Sequence, residues 1–315
     1  MKIFHCKVTQ SHNSNSDVEG SYRVSGFKES VSEQQLPELA SVADKYLKSV
    51  HSARYVQKVR GACKSKCELA EVPLTPDSYG AMIASVTLAI MAARENGFAV
   101  TRPPGHHASK EKAEGFCFFN NVAVASSYLL ESGSRVCIID IDGHHGNGTQ
   151  AIFRNSDKVL YCSIHQSGIY PYSGSASDIG KGPSFQKVIN VPLEQESGDD
   201  VLLASIGFLK QYIEKFNPDH VAVSFGADGY GKDRLLKLNY TKRGFYEAGK
   251  LIASIGKPTF AVLEGGYHDE VPECVYSFTS GISGDKFDYV GEISASSLNI
   301  TENNALTLNK LSEIL

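Results

Sequence analysis

Three side chains able to hold one metal ion stand in two short segments of the chain. The first segment is Asp140-Ile141-Asp142-Gly143-His144-His145-Gly146-Asn147-Gly148, and the second is Phe225-Gly226-Ala227-Asp228-Gly229. Each follows an apolar, β-branched run, Val136 to Ile139 and Val221 to Val223, that reads as a buried parallel strand. Both therefore place an aspartate just past the carboxyl end of a strand, where open α/β sheets carry their sites. Asp142 and His144 lie two apart around Gly143, a spacing that sends both side chains to the same side of an extended stretch. Asp228 supplies a second carboxylate from a neighbouring strand. One imidazole, two carboxylates and an open position suit a catalytic divalent metal such as zinc; ferrous iron or cobalt would also suit so oxygen-rich a set.

Two more strand ends carry unusual polar residues. Phe98 to Thr101 runs into Arg102-Pro103-Pro104-Gly105-His106-His107-Ala108, and Thr259 to Leu263 runs into Glu264-Gly265-Gly266-Tyr267. The prolines fix the backbone ahead of the histidine pair. A neutral imidazole takes a proton from water near pH 7, and its conjugate acid returns one to a leaving amine. Asp140 is the candidate orienter of one histidine, and the Asn147 amide oxygen can accept a hydrogen bond from the other. Gly265 allows a close approach of backbone to the site, and Tyr267 can donate its hydroxyl to a developing oxyanion. Singly, a histidine pair, an Asp-x-His or a Gly-Gly-Tyr is commonplace and usually structural. Four polar clusters converging on one rim of a sheet are not explained by solubility.

Strands and helices alternate along the chain. The strands read as Phe98 to Thr101, Val136 to Ile141, Val159 to Ile164, Val188 to Val191, His220 to Phe225 and Thr259 to Leu263. The helices read as Tyr79 to Glu95, Asn121 to Glu131, Asp199 to Phe216 and Thr241 to Ile255. This alternation implies an α/β fold, a mainly parallel central sheet with helices on both faces. No linker or repeat divides the chain, so residues 1–315 read as a single domain. Residues 10–30 read as a long surface loop, and the tail from Gly291 as polar up to a short helical pattern at Leu306 to Leu315.

Composition narrows the function classes. The 315 residues are 42% hydrophobic and 21% charged, as expected of a soluble globular protein with an ample core. A net charge of −4 gives no footprint for nucleic acid and tolerates a cationic substrate. No stretch is long and apolar enough to cross a membrane, and the N-terminus reads as a first strand without a secretory pattern. The seven cysteines are odd in number, irregularly spaced and mostly in apolar runs, which points to reduced thiols and a cytoplasmic protein. Cys63 and Cys67 have no second pair nearby to complete a metal set.

The sequence resembles the zinc-dependent histone deacetylase family, which includes acetylpolyamine amidohydrolases and shares the arginase-like fold. The resemblance is carried by Arg102 to Ala108, Gly115-Phe116-Cys117-Phe118-Phe119-Asn120-Asn121, Asp140 to Gln150, Ser163-Ile164-His165, Gly226 to Asn239 and Leu263 to Tyr267. It is dense from about residue 80 to 270, and it makes residues 10–30 an active-site loop. Asn147 is similar to the class II and polyamine branches, where class I members usually carry aspartate. The resemblance implies a metal-dependent amide hydrolase with zinc on Asp142, His144 and Asp228, His106 and His107 as the acid–base pair, and Tyr267 polarising the scissile carbonyl. Phe116 and Tyr170 match the two walls of an acyl-amine tunnel, and Leu235 an apolar rim residue. It also implies structural potassium held by Asp140, Ser163 and Ile164 with the carbonyls of Asp142 and His144, and a second potassium on carbonyls of Phe153, Ser156 and Val159. Two departures stand out. Gly143 replaces a bulkier apolar residue, which would widen the pocket or loosen the loop, and Tyr170 puts a hydroxyl on a wall that is normally phenylalanine.

The expected substrate is a small acylated amine, with acetylpolyamines favoured and an acyl-lysine peptide as the alternative. Glu19 is the candidate partner for a substrate ammonium, and Glu71 falls roughly where deacetylases clamp a peptide backbone. The segment from Val59 to Pro76 is too short for the insertion with which some bacterial acetylpolyamine enzymes dimerise, which leaves monomer or homodimer open. Two other classes compete: a non-catalytic module that binds acyl-amines, and an arginase-like hydrolase with two manganese ions. The second calls for more metal ligands than these segments supply.

Overall fold

Residues 1–12, 17–287 and 291–315 are described by the structure, a computed structural model. Nine strands occur among them: β1 (Ile3–Phe4), β2 (Glu68–Leu69), β3 (Val72–Pro73), β4 (Phe98–Ala99), β5 (Val136–Asp140), β6 (Val159–Gln166), β7 (Val188–Leu193), β8 (His220–Phe225) and β9 (Thr259–Leu263). Seven form one sheet in the order β1-β4-β9-β8-β5-β6-β7, with every pairing parallel. The β2–β3 hairpin stands apart as a small antiparallel pair. The sheet grows from β5 through β6 and β7 to one side, then resumes on the other side of β5 with β8 and β9. This reversal opens a crevice at the carboxyl ends of β5 and β8, where Asp142 and Asp228 leave the sheet.

Period-2 alternation divides each strand between two cores. Val136 and Ile138 of β5, Ala222 of β8 and Phe260 and Val262 of β9 pack into one core. Cys137 and Ile139, Val221 and Val223, and Ala261 and Leu263 pack into the other. Helices α1 (Tyr22–Ser25), α2 (Leu36–Val50), α3 (Ala53–Lys64), α4 (Pro76–Glu95), α5 (Asn121–Leu130), α6 (Asn147–Phe153), α7 (Asp199–Phe216), α8 (Lys242–Ala253), α9 (Val271–Ser283) and α10 (Leu298–Ile314) complete the fold. Residues of α2 to α5 join the first core, and those of α7 to α9 the second. The result is a single α/β domain with a parallel sheet covered on both faces.

Strands at 220–225 and 259–263 and the helix at 199–216 fall where their periodicity places them. Five helices lie beyond the sequence reading: α1, α2, α3, α6 and α9. In α9, Val271, Cys274, Val275 and Phe278 are buried at spacings of three and four, a helical stripe that was present in the sequence. The C-terminal helix starts at Leu298, eight residues before the expected 306. The segment before it is tied down: Asp199 and Asp200, at the start of α7, accept hydrogen bonds from the backbone amides of Ser294 and Ser296.

Residues 10–30 are not simply a surface loop. Glu19, Arg23 and Val24 are fully buried, and residues 13–16 lie outside the described residues. All seven cysteines are free, and Cys67 alone is exposed. Among the described residues, no helix is long and apolar enough to cross a membrane.

His51, at the end of α2, is buried and accepts the Asn120 backbone N–H through Nε2 at 2.9 Å. Burial brings its pKa down to about 4. Because the folded value lies below the unfolded one, the fold keeps its full stability above pH 6.5 and loses it as pH falls toward 4. From pH 7 to 4.5 this one group should remove about 2 kcal/mol. Urea denaturation of wild type and His51→Gln at the two pH values checks this: the drop should be smaller in the variant by that amount.

Candidate metal centre and active site

The crevice at the end of β5 and β8 gathers the donor set. Asp142, His144 and Asp228 each offer a ligand atom, all within 4.8 Å of one another, and the two aspartates are fully buried. The backbone aims them. Gly265 N–H donates to Asp142 Oδ2 at 2.7 Å, His144 N–H to Asp142 Oδ1 at 2.9 Å, and Gly143 N–H to Asp228 Oδ1 at 2.8 Å. Gly265 is required for this approach, since a Cβ there would lie 2.7 Å from both Asp142 Oδ2 and Asp228 Oδ2.

This set fits a divalent cation. Burial and the neighbouring Asp142 charge push Asp228 up to about 7. Burial works against a charged His144, but Asp142 and Asp228 outweigh it and carry His144 up to about 10. Two carboxylates around one imidazole in a dry crevice thus call for a positive charge, which a proton or a metal ion can supply. His144 Nδ1 lies 2.8 Å from Asp228 Oδ2.

Beside the donors stand the two histidines. The loop that carries them is fixed at several points. Glu264, at the end of β9, accepts from the Gly105 and His106 backbone amides at 2.7 and 3.0 Å, and Thr149 N–H donates to the His106 carbonyl. The Asn120 amide group donates to the Ala108 carbonyl, and that of Asn121 to the Pro103 carbonyl. The phenylalanine- and asparagine-rich motif before α5 therefore holds the histidine loop from below. His106 Nδ1 is 3.2 Å from Asp140 Oδ2, which Tyr161 also hydrogen-bonds. Burial lowers the His106 pKa, yet Asp142 and Asp140 prevail and push it up to about 10. His107 is the opposite case: burial, then the charges on His106 and His144, hold it well below the usual histidine range. Its Nδ1 is 2.8 Å from Asn147 Oδ1. The pair thus divides into one proton-holding and one neutral imidazole.

Tyr267 is 4% exposed and closes the site from β9. Asp233 fixes it, accepting from the Tyr267 amide and from the Leu235 amide at 2.7 Å each. The Arg23 guanidinium lies 4.9 Å from the Tyr267 ring centre. Arg23 also donates to the Gly266 carbonyl at 2.6 Å and to the Glu264 carbonyl.

A cavity of about 380 Å³ leads to these groups, lined by His107, His144 and Tyr267 at its base and by Phe116, Tyr170, Leu235 and Glu71 above. The Phe116 and Tyr267 rings are 5.7 Å apart, and the Tyr170 ring is 5.1 Å from that of His107. Leu235 is 43% exposed at the rim. Glu71 accepts the Gly115 N–H at 3.1 Å. Asp140 and Ser163 are register partners on β5 and β6, and they and Ile164 are buried. Ser163 Oγ is 2.8 Å from His165 Nδ1.

Two expectations are corrected. Glu19 does not reach a substrate ammonium. It is fully buried, 2.8 Å from Arg23 and 3.0 Å from Arg102, so its charge is spent on two guanidiniums in the interior. Nor does Gly143 widen the pocket. A Cβ there would overlap Leu236 Cδ1 and come within 3.3 Å of Leu238 and of Asp228 Oδ1, so leucines from the 226–239 loop already fill that space. Gly143→Leu should therefore overpack the ligand loop, at about 1–3 kcal/mol, and lower metal affinity. Adding Leu236→Ala should recover most of both, measured by thermal unfolding and metal titration; independent effects would contradict the shared-space reading.

Residues that sequence reasoning left without a role are Asp233, Arg23 and Asn120. Each acts through a partner distant in sequence; Asn120 lies within the Gly115–Asn121 motif and Asp233 within Gly226–Asn239, and Arg23 lies in none.

Comparison with known proteins agrees with this architecture. The sequence matches the histone deacetylase domain family across residues 18–282, and the chain belongs to that family. It is 37% identical over 207 residues to acetylpolyamine amidohydrolase 1 of Pseudomonas aeruginosa, covering 62% of this chain and 60% of that one. A probable deacetylase of Methanothermobacter thermautotrophicus is 31% identical over 308 residues, covering 91% and 92%. The acetylpolyamine amidohydrolase of Mycoplana ramosa is 32% identical over 246 residues, covering 74% and 72%. The match spans 51% of a probable deacetylase of Archaeoglobus fulgidus and 60% of the Pseudomonas protein, less than two thirds of either. Among solved structures, the HDA15 HD domain superposes with a TM-score of 0.83 at 24% identity, covering 99% of this chain and 94% of that one. An acetylpolyamine aminohydrolase from Burkholderia pseudomallei gives 0.75 at 24%, covering 89% and 98%. Both show a shared fold.

Proposed function

We propose that this protein is a zinc-dependent amidohydrolase that removes acyl groups from linear amines, with acetylated polyamines and other small acetylated amines as its substrates. The observation that carries the reading is the placement of Asp142, His144 and Asp228 beside His106, His107 and Tyr267 at the base of one aromatic-walled cavity. Asp142, His144 and Asp228 would hold the metal, which when bound supplies Lewis acidity toward a carbonyl and lowers the pKa of water. His107, which burial holds neutral, takes the proton of the attacking water at Nε2 while Asn147 holds Nδ1–H. His107 then returns a proton to the leaving nitrogen, which is too basic to depart as an anion. Tyr267 donates its hydroxyl to the carbonyl oxygen as charge develops there. Phe116 and Tyr170 admit a slender alkyl chain and exclude water around it.

Glu71 at the cavity mouth offers a carboxylate that accepts from a substrate ammonium or a peptide N–H alike. The named relatives from Pseudomonas and Mycoplana support acetylated polyamines as the substrate class. Potassium would occupy Asp140, Ser163, Ile164 and the carbonyls of Asp142 and His144, with a second ion at the Phe153, Ser156 and Val159 carbonyls. A turnover panel tests the substrate: acetylated putrescine, cadaverine and spermidine against acetyl-lysine peptides, with and without chelator. Higher kcat/KM on the polyamines supports the reading. Preference for peptides would replace it with a protein deacetylase, and no turnover of any would leave a binding module.

A further inference from the structure

We propose that Glu114 is a positioning residue for His107, acting through Asn147: its carboxylate fixes which end of the Asn147 amide faces the imidazole, and so fixes the tautomer in which His107 can act as a base. The proposal rests on the amidohydrolase reading above, in which His107 Nε2 receives the proton.

An asparagine side chain presents an acceptor at one end and a donor at the other. With Oδ1 toward His107, Nδ1 must carry the hydrogen, and the Nε2 lone pair is free to face the cavity. With the amide turned over, the NH2 group would donate to Nδ1, and the hydrogen would move to Nε2. The imidazole would then have no lone pair to offer a water. Nothing in His107 itself selects between these arrangements. An aspartate at position 147 would accept from Nδ1–H in either orientation, whereas an asparagine needs its two ends told apart.

Glu114 tells them apart. Its Oε2 lies 3.2 Å from Asn147 Nδ2, while Asn147 Oδ1 lies 2.8 Å from His107 Nδ1. An ionised carboxylate only accepts, so the NH2 end must face it. The carboxylate has a second partner. Lys112 Nζ donates to Oε1 at 2.7 Å, and the Glu114 side chain is 22% exposed. Its backbone exchanges both hydrogen bonds with Cys117, at 3.1 and 2.9 Å, closing a turn through Gly115 and Phe116. Both turn residues have positive φ, +54° and +64°, as such a tight reversal requires. For Phe116 this conformation is unfavourable, and the turn that imposes it sets the aromatic wall and the Glu114 carboxylate together.

The test uses the zinc-loaded protein, a neutral acetyl-lysine amide as substrate, and imidazole 15N NMR, with the His107 signals identified by their loss in His107→Ala. In the wild type, Nδ1 of His107 should show the protonated, pyrrole-type signal. Glu114→Ala should lower kcat by about 10- to 100-fold, the range for losing an outer partner of a working histidine, with KM unchanged and the His107 signals moved toward the other tautomer. Glu114→Gln presents a donor as well as an acceptor, cannot tell the two ends of Asn147 apart, and should lose kcat as the alanine variant does. Asn147→Asp in the Glu114→Ala background should restore kcat, because an aspartate needs no orienting. A Glu114→Ala protein with wild-type kcat and tautomer overturns the proposal. So does a loss of kcat with the His107 signals unmoved, which would assign Glu114 a merely electrostatic role. A wild type inactive on every substrate would instead reject the amidohydrolase reading, while the tautomer measurement would still decide the role of Glu114.

Discussion

Tyr267→Phe should fold, bind its metal normally and lose roughly 100- to 1,000-fold in kcat, the range measured when a single oxyanion donor is removed. The substitution deletes one oxygen and keeps the rest. The ring still packs 5.7 Å from Phe116 and 4.9 Å from the Arg23 guanidinium, and the backbone amide is still held by Asp233. Since the hydroxyl is assigned to charge that develops only as the carbonyl is attacked, the loss belongs in kcat with little change in KM. Steady-state kinetics with metal analysis on the same preparation measures it. Near-normal turnover would remove Tyr267 from the reaction and shift the oxyanion role elsewhere.

Asp228→Asn should separate metal binding from folding. Asparagine keeps an oxygen for the Gly143 amide but gives up the charge that faces the cation. Metal content should fall from one per chain to a small fraction, and turnover with it. The stability of the metal-free protein should move the other way or stay level. Burial and the adjacent Asp142 already push the Asp228 carboxyl up to about 7, so the aspartate charge is unwelcome unless a cation offsets it. Excess zinc should raise the stability of wild type by about 3 kcal/mol at a hundredfold excess over Kd, and leave the variant unmoved. Calorimetry of both proteins with and without metal provides the four values. A variant stabilised by zinc as much as wild type would take Asp228 out of the ligand set.

Much of the sheet was legible because its strands are buried on both faces. Such strands are continuous apolar runs, and the chain leaves them at polar residues that have no other reason to be there. Asp142, His144, Asp228 and Tyr267 announced themselves in this way. What stayed hidden acts by proximity across the sequence. Leu236 fills the space above Gly143, and Asp233 ties Leu235 to Tyr267. No local pattern distinguishes these residues from ordinary loop positions. The N-terminal segment misled for a related reason. Serine, asparagine and glycine around Glu19 and Arg23 read as solvent-facing, whereas the charges of the two residues satisfy each other in the interior. Helix α9 is different. Its apolar stripe at spacings of three and four is legible in the sequence, but it is short and opens on Val271-Pro272, with three residues between it and the polar Gly265–Tyr267 turn.

One dication held by Asp142, His144 and Asp228 would make this crevice an active site. Protein stripped by chelator and dialysed, then titrated with zinc while acetylated-amine turnover is followed, tests it most directly. Turnover should be lost on stripping and return in proportion to zinc, reaching its plateau at one ion per chain. Full turnover in the stripped protein, or a plateau only at two ions, would contradict it.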